Sequence, residues 1–237
     1  MSAPVALDLA GQVARIRLCR PDRGNALGPA MQEALDAALD DAMAAGARCI
    51  ILSGEGRHFC TGFDLSDLDA LSDGDLGLRI LRIEMLLQRI HALPVTTVAI
   101  AQGRVFGAGA DLFAACDHRI ALPGSSFAFP GPAFGLVLGT GRLAGLIGDG
   151  PARHLLLAGS PVLADAALTL GLVTAISAEP ALDPIIAAAT RLDAETTAAL
   201  HARTRHADDA GDMAALARSV ARPGLKARIA AYRAGVK

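Results

Sequence analysis

VTTVAIAQGRVFGAGADLFAACD, residues 95–117, joins three textures that seldom meet by accident. Val95–Ala101 is a β-branched, uncharged run, the pattern of a strand covered on both faces. A glycine loop, Gly103 to Gly109, follows it and opens into the short apolar segment Ala110–Cys116, which predicts a helix. The same order recurs upstream in CIILSGEGRHFCTGFDL, residues 49–65, where the buried strand Ala47–Ser53 runs into a second glycine-rich bend. Strand, glycine bend and helix, repeated, predict an α/β fold.

Working outward, Val5–Ala10 and Gln12–Cys19 read as a hairpin around Gly11. Pro29–Ala45 repeats apolar residues at helical spacing, with Pro29 at its opening and Gly46 at its close. Gly77–Leu93 is a second amphipathic helix, stopped by Pro94. Asp117–Leu122 and Ser126–Phe129 look extended, Thr140–Ala158 and Leu163–Leu170 helical, and Val173–Ser177 forms a last short strand. From Ala181 onward alanine-rich amphipathic helices take over with no polar linker before them. The pattern predicts an α/β core over residues 1–180 and a helical region over 181–237 that packs on the core or on a neighbouring subunit.

Composition narrows the function classes. With 237 residues, 52% of them hydrophobic and 19% charged, and a formal net charge of −2, the chain is a globular protein rather than a disordered tail or a basic nucleic-acid coat. The longest stretch without charge or histidine, Ile120 to Gly141, carries Pro123, Pro130 and Pro132, so no membrane span is expected. The N-terminus has no basic and apolar leader pattern, and a cytoplasmic location is the expectation. Lys226 and Lys237 are the only lysines, which argues against a Schiff-base or P-loop lysine. Cys19, Cys49, Cys60 and Cys116 show no paired spacing, and the His58–Cys60 pair has no companion pair, so neither disulfide nor metal is expected. Gly139–Gly145 lacks the strand and downstream acid of a dinucleotide loop, which leaves Arg142 a structural reading.

Each glycine bend has a chemical use. Without a Cβ the backbone can approach a ligand closely, and N–H groups at a helix opening are unpaired and lie at the positive end of its dipole. Two such bends, if they meet, would offer N–H donors to one oxygen that gains negative charge during reaction. The sequence supplies the two bends and leaves their convergence open.

Five segments in register, RGNALGPAM, GRHFCTGFDLSDL, PVTTVAIAQGRVFGAGADLFAACDHRIA, FAFPGPAFGLVLGTGRLAGLIG and LLLAGSPVLADAALTLGLVTAI, resemble the crotonase, or enoyl-CoA hydratase/isomerase, superfamily from about Val5 to Ile176. The resemblance implies a spiral of ββα units with a helical C-terminal region that builds homotrimers or dimers of trimers. It also implies an acyl-CoA thioester as ligand, coenzyme A being part of the substrate and no separate cofactor being needed. Carried over by position, the oxyanion donors are the N–H groups of Phe63 and Ala108, and the substrate-binding positions are Arg23, Ala26, Leu27, Gly62, Asp64, Leu65 and Gly107. Asp64 has a plainer reading as a helix cap. Asp111 stands where the hydratases carry one catalytic glutamate, and Gly131 stands where they carry the other. The chain therefore reads as an enoyl-CoA hydratase/isomerase-type enzyme with one acid. Its alternatives are a non-catalytic acyl-CoA binder, or a thioesterase or decarboxylase on the same scaffold.

Overall fold

The computed structural model describes residues 3–205 and 207–235. Strands β1 (Val5–Ala10) and β2 (Val13–Leu18) form the hairpin about Gly11, and helix α1 (Pro29–Ala44) carries the chain back beneath them. Strand β3 (Cys49–Gly54) then pairs parallel with β2, in the register Ile51 to Arg15. Helix α2 (Asp73–His91) returns the chain to β4 (Thr96–Ala101), which is parallel to β3. Beyond β5 (Arg104–Phe106) and helix α3 (Ala108–Ala114), β6 (His118–Ala121) pairs parallel with β4. Strand β7 (Ser126–Ala128) pairs with β5, and helices α4 (Thr140–Ile147) and α5 (Asp149–Ala158) lead to β8 (Val162–Leu163), antiparallel to β7. Helix α6 (Ala164–Thr169) precedes β9 (Ala175–Ile176), which closes the larger sheet in the order β1-β2-β3-β4-β6-β9. The chain then continues as α7 (Asp183–Arg191), α8 (Ala194–Thr204), α9 (Asp209–Val220) and α10 (Leu225–Gly235).

A second, smaller sheet, β5-β7-β8, grows out of the bends. Leu27 bridges in parallel to Phe63, and Cys60 bridges in parallel to Val105, so each turn of chain lies against the turn before it. The result is a spiral of strand, strand and helix. Its interior is packed with Phe59, Phe113 and Phe127, all fully buried, with ring centroids 6.3 and 4.9 Å apart in sequence order. Edge-to-face and tilted aromatic pairs of this kind add about 0.5–1.5 kcal/mol each beyond the area they bury.

Local chemistry moves several element boundaries from where periodicity puts them. Helix α2 starts at Asp73, not Gly77, because Ser72 and Asp75 form a reciprocal capping box that hydropathy alone does not reveal. The helical stretch Thr140–Ala158 divides at Gly148, whose φ of +85° breaks it into α4 and α5. The C-terminal helices turn back on their own chain. Ile185, Ile186 and Ala189 of α7 cover Ile51 and Val98, while Leu216 of α9 and Leu225 and Ile229 of α10 close over Leu76 and Ile80 of α2. Among the described residues, no helix is long and apolar enough to cross a membrane.

Candidate active site

The bend after β3 is held from behind by the turn that precedes α1. Leu27 donates its N–H to Gly62 O at 2.7 Å and accepts the Asp64 N–H at 3.2 Å. The Phe63 N–H between those two contacts has no acceptor among the described residues, and Phe63 lines a cavity. Asn25 fixes the turn itself. Its carboxamide donates to the carbonyls of Glu55 and His58 and accepts from the Arg20 N–H, which offsets its left-handed backbone (φ 54°).

The second bend follows β5. Phe106 N–H bonds to Cys60 O at 3.1 Å and Gly107 N–H to Ala128 O at 2.8 Å, whereas the Ala108 N–H, at the opening of α3, has no acceptor among the described residues. The two bends touch. At Gly62, where φ is +101°, a Cβ would fall 2.8 Å from Phe106 O and 3.5 Å from Ala108 N. At Gly109 a Cβ would fall 2.2 Å from Cys60 O, so α3 can lie this close to the first bend only with glycine there. Phe63 and Ala108, whose N–H groups lack acceptors among the described residues, thus line one cavity.

Asp111 sits one turn further along α3, only 4% exposed, and borders the same cavity. Burial pushes its carboxyl from the ordinary 3.8 up to about 8; the Arg142 cation opposes the rise, and the charges of Glu84 and Asp212 add to it. Behind it lies a fully buried ion pair: Arg142 Nη2 to Glu84 Oε2 at 3.0 Å, with Gln88 donating to Glu84 Oε1 at 2.9 Å. Gly139 covers the carboxyl, since a Cβ there would lie 2.5 Å from Asp111 Oδ1.

The rest of the cavity, of about 190 Å³, is apolar. Ile80 and Ile83 of α2, Phe129 and Leu136 form its walls, and Ile229 and Tyr232 of α10 close one side. Tyr232 packs on Phe134 with ring centroids 5.1 Å apart. Helix α10 is tied down at its start, where the Asp73 carboxylate accepts the N–H groups of Gly224, Leu225 and Lys226 at 2.8 to 3.1 Å. Gly131 also borders the cavity, and a Cβ built on it meets Leu136 only at 3.6 Å, an ordinary contact.

Of the residues singled out in the sequence, the fold brings Gly62, Phe63, Leu65, Gly107, Ala108 and Asp111 to this one cavity. Arg23, Ala26, Leu27 and Asp64 do not line it. Leu27 and Ala26 are buried behind the first bend, and Arg23 is exposed on a 3-10 turn beside Asp22. Asp64 caps no helix: it accepts the Ser66 N–H at 2.9 Å and faces Arg20 at 3.7 Å, because a turn rather than a helix follows the bend. His58 accepts the Arg104 N–H, and among the described residues no three histidine, cysteine or acidic side chains converge as a metal site would need. Sequence reasoning misses Glu84, Ile229 and Tyr232. Glu84 left one signal, a charge at a position of α2 that falls in step with Leu76, Ile80, Ile83 and Leu87.

Comparison with known proteins gives a consistent picture. The profile of the enoyl-CoA hydratase/isomerase family matches residues 8–224. A Mycobacterium tuberculosis protein named "Probable enoyl-CoA hydratase echA6" is 35% identical over 175 residues, 73% of this chain and 70% of that protein. The ethylmalonyl-CoA decarboxylase of Gallus gallus is 38% identical over 127 residues, 52% of this chain and 43% of the relative. A crystal structure described as a candidate enoyl-CoA hydratase/isomerase from Bordetella parapertussis superimposes with a TM-score of 0.94 at 43% identity, covering 98% of this chain and 99% of that one.

Proposed function

The chain belongs to the enoyl-CoA hydratase/isomerase family, and we propose that it stabilises the enolate of an acyl-CoA thioester, with Asp111 as its single proton carrier. The observation that carries this reading is the meeting of two bends whose Phe63 and Ala108 N–H groups have no acceptor among the described residues, with Asp111 at the same cavity. The thioester oxygen takes the place of the missing acceptor, and the donors strengthen as charge develops on it. Asp111 then moves a proton at the carbon next to the carbonyl. Hydration by a pair of carboxylates is disfavoured, since Gly131 offers no second acid to hold and split a water. The cavity is smaller than the about 300–1,000 Å³ of pockets for drug-sized ligands, which favours a short acyl group.

A second reading is favoured by the protonation of Asp111. A carboxyl that keeps its proton to about pH 8 is a donor at neutral pH, which suits loss of CO2 from a malonyl-type thioester. There the bond to the carboxylate breaks, its electron pair forms the enolate, and Asp111 supplies the proton to the carbon. Gly131 places no competing negative charge beside the departing carboxylate. Turnover against enoyl-, hydroxyacyl- and malonyl-type CoA thioesters tests both readings. Isomerisation or decarboxylation that falls about 10²-fold or more in Asp111→Asn supports them. Binding without turnover of any of the three classes would leave an acyl-CoA binder.

We further propose a homotrimer or a dimer of trimers. The apolar surface that supports assembly lies at Leu157 of α5, Leu163 of β8 and Leu168 of α6, which are 79%, 62% and 40% exposed, rather than on α9 and α10, whose apolar faces are spent on α2.

A further inference from the structure

Three charged side chains face Asp111 from the elements packed against it: Arg142 from α4, Glu84 from α2 and Asp212 from α9. The cation is the nearest to neutralising Asp111, yet among the described residues Asp111 makes no ion pair. Arg142 presents both terminal nitrogens to Glu84 instead, Nη2 at 3.0 Å and Nη1 at 3.4 Å, while its buried Nε has no partner among the described residues. Glu84 is fully buried and Arg142 is 3% exposed, so water screens neither. Gln88 holds Glu84 from the side, donating at once to Glu84 Oε1 and Asp209 O, which fixes the carboxylate toward Arg142. Asp212 is already engaged with the Gly141 N–H at 3.0 Å.

We propose that Glu84 is a positioning residue for Asp111: by engaging both terminal nitrogens of the Arg142 guanidinium, it withholds a counter-ion from Asp111 and leaves that group a neutral acid at the cavity. Burial alone disfavours the ionised form of a carboxylate, but a cation at close range reverses that preference. The fold places such a cation beside Asp111 and then spends it on another acid. Gly139 lets the loop before α4 lie against both groups, since a Cβ there would fall 2.5 Å from Asp111 Oδ1 and 3.0 Å from Arg142 Nη2. A purely structural ion pair would have no consequence for the proton on Asp111. The catalytic meaning of this device rests on the enolate reading above, whereas the device itself does not.

The test therefore reads the proton directly. The protein is labelled with aspartate carrying 13C in its carboxyl, the Asp111 signal is assigned by its absence from Asp111→Asn, and its shift is followed from pH 5 to pH 9. In the parent the midpoint is expected near 8. In Glu84→Gln, which keeps the shape and the Gln88 contact, Arg142 becomes free to neutralise Asp111, and the midpoint should fall by at least tenfold in proton affinity. Glu84→Asp, which keeps the charge, should restore most of the parent value, and Asp212→Asn should move it less than Glu84→Gln does. An unchanged midpoint in Glu84→Gln overturns the proposal. Where that variant does not fold, Glu84→Leu, neutral and suited to the apolar row of α2, is read in the same way: a midpoint at least tenfold lower in proton affinity than the parent's supports the proposal, and an unchanged one overturns it. Turnover measured in parallel separates the two claims, since a shifted proton with no turnover by the parent sinks the enolate reading alone.

Discussion

Asp111→Asn should make the protein more stable, by an amount that grows with pH. In the fold the carboxyl keeps its proton to about pH 8, while in the unfolded chain it loses it near 3.8. A group whose folded pKa is raised stabilises fully below the unfolded value, and that contribution is lost as pH rises through the folded one. Between those limits the folded parent binds one proton more than the unfolded chain, so its stability relative to the asparagine variant falls by about 1.4 kcal/mol per pH unit. The whole span is on the order of 5 kcal/mol, reached near pH 8 and flat above it. Every other titrating group is common to both proteins, so the difference between them isolates this one carboxyl. Urea unfolding of both at fixed protein concentration, at each pH from 4.5 to 9, gives that difference. A curve that rises and then levels near pH 8 is expected. A difference that stays constant above pH 5 would mean that Asp111 ionises like a surface carboxylate, and the account of it as a neutral acid would fall.

Further outcomes follow from the walls of the cavity. Asp73→Asn leaves the start of α10 with a weaker cap, so the amides of Leu225–Gly235 should lose protection in hydrogen exchange and KM should rise while kcat changes little. The same contacts hold the Asp73 carboxyl below its ordinary range, the Lys226 N–H foremost, so the anchor is complete above that range and loosens as pH falls through the lowered value. Gly131→Glu adds a second carboxylate at a position where a Cβ meets only ordinary contacts, and should create measurable water addition to crotonyl-CoA, read as loss of the conjugated thioester absorbance.

Strands β3 and β4 were legible because a run such as Val95–Ala101 suits few structures other than a covered strand, and α1 because Pro29 and its apolar spacing agree. The bends were legible too, since glycines at 62 and 109 admit approaches that a Cβ would block, and Gly107 holds a φ of +52°. Their meeting was not, because it depends on pairings such as Leu27 with Phe63 and Cys60 with Val105, which join residues tens of positions apart. The site's far wall was hidden for the same reason. Nothing local marks Ile229 and Tyr232 as neighbours of Phe134, and the tether that brings them there is an aspartate at the start of a helix some 150 residues earlier. Glu84 was the exception, a charge set among leucines and isoleucines of α2, visible in the sequence but without meaning until Arg142 is placed beside it.

The central claim is that Phe63 and Ala108 N–H groups and Asp111 together sustain a thioester enolate, and exchange of the α-protons of butyryl-CoA with D2O tests it most directly, since it requires the enolate and nothing beyond it. NMR should show the α-proton signal disappearing faster with the parent protein than without it, with a rate that climbs to a plateau as Asp111 ionises near pH 8, and a fall of about 10²-fold or more in Asp111→Asn. Butyryl-CoA that binds, by its effect on thermal stability, yet exchanges no faster than in buffer across this pH range would contradict the claim.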